Sequence, residues 1–549
     1  MKKSVSLALL ASTFLGGPAF GQFIPTTQQS GPDVAVSGVC GPGGGTDISE
    51  SGLVSAMHSY SYSSTSCNIG DERINWFSGS SGGVHNDHPL IGQNMFRVHD
   101  GRIVQLGYSF LKHSFFALST PGCVSWSCQG TGGSELGIGC SDTYGSGLND
   151  GNGGGSKRDV NAATGFHGIK TNPTGGSSTH RGRLQVEPTM LGVSGARYYA
   201  EIQYVSEEDQ MAGLARNNAS YHEISTTNAS NLQKIGGLRP LNPGIYAWQD
   251  VDSNVDVVDV ASMNEGGPGV HGWYFVACNA TDIGNGLWRY EYAVQNLTSD
   301  QSARSFQVPN PCGAVISDVY FHDVTHHSGD PYSNTDWSFT TSGGFARWQT
   351  ESFAQNINAN ALRWGTLYNF GFTANSAPGA ATADIGLFKP GANNTIGAAV
   401  KAPCGGPVNP TCGVQNYCTS NPTSVSAGAT ISSSGSASFA SNDLTVRCDG
   451  AATSEFALFY FGTSQISVPF GDGVRCAGGN TFRLNPPVLT DLFGSAARSV
   501  NYGGAPFNFP GAAAAPGSTH NYQCWFRDPG GPGGSGFNLS DGLEVTYCP

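Results

Sequence analysis

Charge is scarce in this chain. Asp, Glu, Lys and Arg make up 12% of its 549 residues, against roughly 25% in average globular domains. Basic residues are the scarcer sign, leaving a formal net charge of −13. That balance excludes nucleic acid as a partner, because nothing would neutralise a phosphate backbone. Long apolar runs are missing too. No segment after the N-terminus approaches the 18 or so consecutive apolar residues that a membrane-spanning helix needs. Common catalytic signatures are absent or out of context. There is no H-E-x-x-H, which lowers a frequent metalloprotease class. The stretch DGNGGGSK has Ser156 where a phosphate-binding loop needs Gly before the Lys, so it reads as a surface loop. The G-x-S-x-G string at Gly79–Gly83 has no helical pattern after it, which an esterase elbow requires.

What the chain does have is Gly (78 residues), aromatics (11%) and enough hydrophobic side chains (38%) for a core, so it is not a disordered chain. At the N-terminus, Lys2 and Lys3 precede a short apolar run from Val5 to Leu15, with Ala19 and Gly21 before Gln22. This predicts a secretory signal peptide over residues 1–21 and a secreted mature chain, extracellular or at the cell surface. The 14 cysteines, an even number, then read as disulfides. Cys123-x4-Cys128 and Cys412-x5-Cys418 have knuckle-like spacing, but an oxidising compartment favours bridges there as well.

Strand patterns dominate. RYYAEIQYV (Arg197–Val205) and LWRYEYAVQNL (Leu287–Leu297) are rich in β-branched and aromatic residues. The second alternates with period two, which predicts a half-buried strand. One short helix is expected within Ser206–Ala219. Pro403, Pro407, Pro410 and Pro422 cluster with Cys404, Cys412 and Cys418, predicting a linker over residues 402–422. The expected fold is mainly β. A large β-sandwich or barrel-like region fills residues 22–401, in one or two sub-domains, and a C-terminal β-sandwich fills 423–549.

Histidine is the chemically suggestive residue. His322, His326 and His327 lie in SDVYFHDVTHHSGDPYSNTDW with four aspartates. On a straight strand His322 and His326 would stand about 13 Å apart, so only a bend after Asp323 lets one metal reach both. HNDHP (His85–Pro89) holds His88 at a strand entrance, and His113 sits among apolar residues in LKHSFF. His180 opens a strand in STHRGRL, beside Arg181. His88, His113, His180, His322 and His327 are the candidate ligands for copper or zinc, since imidazole suits both. Asp323 and Arg181 are candidate supporting residues around them. The plainer alternative is that each is a satisfied core or turn histidine, the reading given to His58, His99, His167, His222, His271 and His520. Asp330 and Asp336 suggest calcium instead. Glu135 and Asp142 form a weaker candidate carboxylate pair for sugar hydrolysis, with Trp76, Trp126, Trp337, Trp348 and Trp364 as stacking or core residues.

HNDHPLIGQNMFRVHDGRIVQLGYSFLKHSFFAL, LGIGCSDTYGSGLN, FHDVTHHSGDPYSNTDW and NALRWGTLYNFGF together resemble a family of exported, Gly-rich, disulfide-bonded β proteins of environmental bacteria. The tail, with FALFYFG, VPFGDGVRC and GFNLSDGLEVTYC, resembles a module found in other secreted proteins. The resemblance implies export and the domain layout, and it supplies no catalytic residues. Two functions of different class follow. One is a metal-dependent extracellular enzyme. The other is a non-catalytic surface or matrix protein braced by disulfides and calcium, with an extracellular polymer or cell-surface partner.

Overall fold

Alternating apolar and polar residues, punctuated by Gly turns, leave this chain little choice but strands. A computed structural model describes residues 25–42, 45–54, 56–77, 87–150, 155–167, 180, 182–391, 393–404, 413–439, 441–509, 511–515 and 518–547. The protein is mainly β, with 50% strand and 4% helix. It divides into two compact units, residues 1–405 and 406–549. The signal-peptide segment and Arg181 lie outside the described residues.

The first unit stacks sheets in layers. A six-stranded antiparallel sheet runs Leu232–Arg239, Ala219–Thr226, Arg197–Val205, Leu90–His99 and Arg102–Tyr108, with the short strand Lys112–His113 paired to the start of Leu90–His99. Two three-stranded sheets cover one side of it, over a core that includes Tyr60, Tyr62, Trp76 and Tyr204. Its other side packs on a five-stranded sheet built around Val270–Gly284, Leu287–Asn296 and Thr366–Ala374, through Phe96, Tyr199, Trp248, Phe275 and Leu367. That sheet in turn packs on a second five-stranded sheet, Ser338–Ser342 to Thr395–Pro403, around Tyr292, Phe306, Trp348 and Phe370.

Leu287–Asn296 is therefore not half-buried, as its alternation predicts. Seven of its ten residues are buried in the pattern eiiBBBBBBB. Its aromatic face lies in one core and its polar face in another, where Glu291 pairs with Arg102 and Gln295 with Glu201. Four of the five tryptophans considered for sugar stacking, Trp76, Trp337, Trp348 and Trp364, are buried in cores, and Trp126 is half-buried. The expected short helix is present as Glu207–Met211.

The second unit is a sandwich. One antiparallel sheet contains Gly413–Tyr417, Gly542–Thr546, Thr519–Asp528, Phe456–Phe470 and Gly473–Arg483, and the other Thr430–Ser434, Thr445–Asp449 and Ala496–Ser499. Phe459, Phe461, Tyr522 and Phe526 fill the space between them. Gly413–Tyr417, expected in the linker, is a strand of this unit because it pairs with Gly542–Thr546.

Four disulfides are described: Cys67–Cys123, Cys128–Cys140, Cys312–Cys404 and Cys418–Cys476. Neighbours in sequence are thus split between bridges, and Cys123 and Cys128 form no knuckle. Cys40, Cys278, Cys448 and Cys524 are buried thiols. No helix among the described residues is long and apolar enough to cross a membrane.

Candidate metal centre

Three histidines meet at one end of the six-stranded sheet. His88, His113 and His167 each offer a ring nitrogen, and those nitrogens all lie within 4.8 Å of one another. His88 Nε2 is 2.8 Å from His113 Nδ1, and the three ring centroids are 5.1 to 5.3 Å apart. His88 and His167 are buried and His113 is half-buried. No other group of three His, Cys, Asp or Glu comes this close among the described residues.

Local sequence explains how the three arrive there. Pro89 disfavours helical backbone at His88, just before strand Leu90–His99. The Pro89 carbonyl accepts from Ser114 N–H at 3.0 Å, and Leu90 pairs with His113, so the strand ladder sets these two rings side by side. His167 comes from further along. Asn161 Oδ1 accepts from the N–H groups of Ala163 and Thr164, each at 3.1 Å, which folds a tight turn. Gly165, with φ +74°, carries the chain back so that His167 bridges to Val160. A Cβ at Gly165 would lie 2.5 Å from the Glu207 backbone, so a larger residue is barred there. Leu90, Leu111, Val160, Ala162, Val205 and Trp364 form one apolar cluster. Each strand or turn that delivers a ring contributes to that cluster, so packing fixes the backbone beneath all three.

The remaining predicted ligands do not join this group. His180 Nε2–H donates to the Val54 carbonyl at 2.6 Å, and its Nδ1 accepts from the Ser59 hydroxyl. His327 Nε2–H donates to the Arg183 carbonyl at 2.9 Å while its Nδ1 accepts from Gly329 N–H at 3.3 Å. Both nitrogens of each ring are thus engaged by protein. Burial pushes His327 down to about 4, and its near neighbour His326 likewise. His322, at the end of strand Ile316–His322, is lowered by burial and by nearby Arg97. Asp323 does not orient a ligand ring. It accepts from Asn360, whose Oδ1 faces His326 Nε2 at 3.1 Å, and burial pushes it up to about 6.

The carboxylate candidates are separately engaged. Asp330 accepts from Ser156 Oγ at 2.7 Å and Tyr108 OH at 2.8 Å. Asp336 belongs to no three-ligand group among the described residues. Glu135 pairs with Arg73 at 3.1 Å, half-exposed, and buried Asp142 accepts from Leu118 N–H at 2.9 Å. The two carboxylates thus have separate partners, Arg73 and the Leu118 amide. His167 is the ligand candidate that sequence reasoning passed over. Its neighbours in TGFHGI carry no pattern, and only the pairing with Val160 brings it in.

No family model and no curated protein matches the chain. Among solved structures, the GH20 exo-β-N-acetylglucosaminidase from Vibrio harveyi, in complex with N-acetylglucosamine, is similar over 29% of this chain and 24% of that one. The identity is 15% and the TM-score 0.15, a likeness too slight to carry any argument about fold or function.

Proposed function

We propose that the protein is an exported metal-binding protein whose copper or zinc is held by His88, His113 and His167, and that it acts as a metal-dependent extracellular enzyme. The observation that carries this reading is the mutual approach of the three ring nitrogens within 4.8 Å. Zinc binds imidazole nitrogen at about 2.0–2.1 Å, which places tetrahedral ligand atoms about 3.3 Å apart. His88 and His113, at 2.8 Å, need to part by about half an ångström, and His167 needs to move in by no more than about 1.5 Å. Side-chain rotation covers such distances without moving the strands. Three imidazoles with a free fourth position are the ligand count of a catalytic zinc site, whose metal acidifies bound water. The four disulfides and the leader expected over residues 1–21 support an extracellular setting.

The test is the metal content of the purified chain after exposure to zinc or copper and desalting. One equivalent of either metal is expected in the wild type and in His322→Ala, and less than a tenth of that in His167→Ala. Calcium alone, or no metal, points to the non-catalytic surface or matrix reading. Full retention in His167→Ala removes the three-histidine site.

A further inference from the structure

A second site adjoins the apolar cluster that underlies the three histidines. Val160 and Trp364 belong to both the cluster and the wall of a small cavity. The cavity volume is about 30 Å³, some two to three times what one water needs. Its charged lining is Lys157, Arg158, Arg363 and Lys389 against Asp300 and Asp330. That is a surplus of two positive charges in a chain whose net charge is −13.

Two of these cations lack an ion-paired carboxylate, although Asp330 and Glu201 lie near enough to act on Lys157 through space. Asp300 is taken by Lys389, whose Nζ lies 2.7 Å from it. Arg158 has Asp159 at 3.5 Å, and Asp330 accepts from Ser156 and Tyr108. Lys157 and Arg363 remain. Lys157 is 5% exposed and Arg363 is 9% exposed. Neither has a carboxylate within 4.0 Å among the described residues. Lys157 Nζ reaches the Gly365 carbonyl at 3.2 Å and Asn94 Oδ1 at 3.4 Å, and otherwise faces the rings of Tyr108 and Trp364. Arg363 stacks over Tyr332 with its Cζ 4.1 Å from the ring centre. Its Nη2 donates to the carbonyls of Ile357 and Ala359, while its Nε–H is buried without an acceptor.

Burying a cation without a carboxylate in direct contact is costly, and an orphaned buried donor adds to that cost. Desolvation lowers both groups, Lys157 to about 8. The fold nonetheless makes room for this arrangement. Gly365 has φ +71°, and a Cβ there would stand 2.3 Å from Lys157 Nζ.

We infer that this cavity binds a small oxyanion, either a free one or the carboxylate head of a larger ligand, between Lys157 and Arg363. The anion supplies a direct ion-pair partner to both, beyond the more distant charges of Glu201, Asp330 and Asp300, and an acceptor for Arg363 Nε. It is held by side chains rather than by a Gly-rich backbone cradle, so it is unlike a phosphate loop despite the DGNGGGSK stretch that ends at Lys157. The site is independent of the three histidines and of any metal on them.

The experiment is calorimetric titration of the metal-free full chain with acetate, inorganic phosphate and, as a neutral control, acetamide, at constant ionic strength. Saturable binding of one anion per chain is expected, with no heat from acetamide. Binding of acetate but not phosphate assigns a carboxylate head, and the reverse assigns a free oxyanion. A charge-assisted hydrogen bond contributes enough to shift affinity about tenfold or more. Arg363→Gln and Lys157→Gln should each weaken binding by that much. Arg158→Gln, on a half-exposed side chain that the core does not need, should weaken it about threefold and keeps the test decisive should either buried variant not fold. The inference is overturned if neither anion binds the folded wild type, so that the cavity holds water only. It is also overturned if the variants that fold bind as tightly as the wild type.

Discussion

A histidine buried with both nitrogens in use is held neutral, and that makes the protein acid-sensitive at defined residues. His327 is the clearest case, with Arg183 accepting from one nitrogen and Gly329 donating to the other. Burial lowers it from 6.5 to about 4, with His180 and Lys157 adding repulsion. The unfolded chain therefore binds more protons between these values, so stability falls as pH falls from 6.5 to 4. Asp323, raised to about 6 by burial, works in the opposite sense and gains stability as pH falls below 6. Subtracting a variant isolates one group. The stability difference between wild type and His327→Leu should be constant above pH 7 and shrink by up to about 3 kcal/mol toward pH 4, measured by denaturant unfolding at each pH. A difference that stays flat across that range would mean that His327 titrates in the fold as it does in the unfolded chain. The same residue shows why the site was only half legible from sequence. Three histidines in six residues form a dense cluster along the chain, yet His326 and His327 turn to separate distant partners and His322 Nε2 is buried without a hydrogen-bond partner. His88 and His113 meet because the short strand Lys112–His113 pairs with the start of Leu90–His99, just after His88, and an apolar strand with a His beside its start gives a hint of that. His167 joins through a single long-range bridge beyond a Gly turn, which no local spacing announces.

Elements were more readable than their surroundings. Arg197–Val205 has the bounds that its β-branched and aromatic run predicts, because strand propensity and turn residues are local properties. Which faces become buried is not local. Leu287–Asn296 reads as half-buried since its second face carries Arg289, Glu291 and Gln295, but a further sheet covers that face. The polar groups are satisfied there rather than solvated. Arg102 Nε and Nη2 donate to the two Glu291 oxygens at 2.7 and 2.5 Å, across the two layers. The Glu291 carboxylate is only 7% exposed and burial raises it despite the guanidinium. Removing one partner of such a pair leaves a desolvated charge, at about 3–5 kcal/mol. Arg102→Leu is therefore expected to destabilise the first unit by about that amount, and adding Glu291→Gln should recover a substantial part. Urea unfolding of the two single variants and the double variant closes this cycle. Equal stability of Arg102→Leu and the double variant would show that stacking of the Arg102 guanidinium on Tyr320, with its Cζ 4.0 Å from the ring centre, matters more than the pairing with Glu291.

At the scale of the molecule, each described bridge stays within one unit: three in residues 1–405 and Cys418–Cys476 in the second. The two units are thus cross-linked separately, and each fold has to stand on its own layers and staples. The bridges differ in what they restrain. Cys312–Cys404 spans 92 positions and ties the turn after strand Ala303–Pro309 to the end of strand Thr395–Pro403, two strands of the second five-stranded sheet. Cys128–Cys140 spans 12 positions within a single loop region. In the chain-entropy account a loop of about 100 residues stabilises by about 4.7 kcal/mol and one of about 15 by about 3. Replacing Cys312 and Cys404 together with Ala should then lower the stability of the first unit by about 1–2 kcal/mol more than replacing Cys128 and Cys140, and leave the second unit untouched. Calorimetry of the two double variants reads both effects, since the units melt as distinct transitions if their cores are separate. Equal losses from the two variants would place the stabilisation in native packing around the sulfurs instead of in the unfolded chain. A shift in the second transition would show that the units stabilise one another, which separate cross-linking alone does not predict.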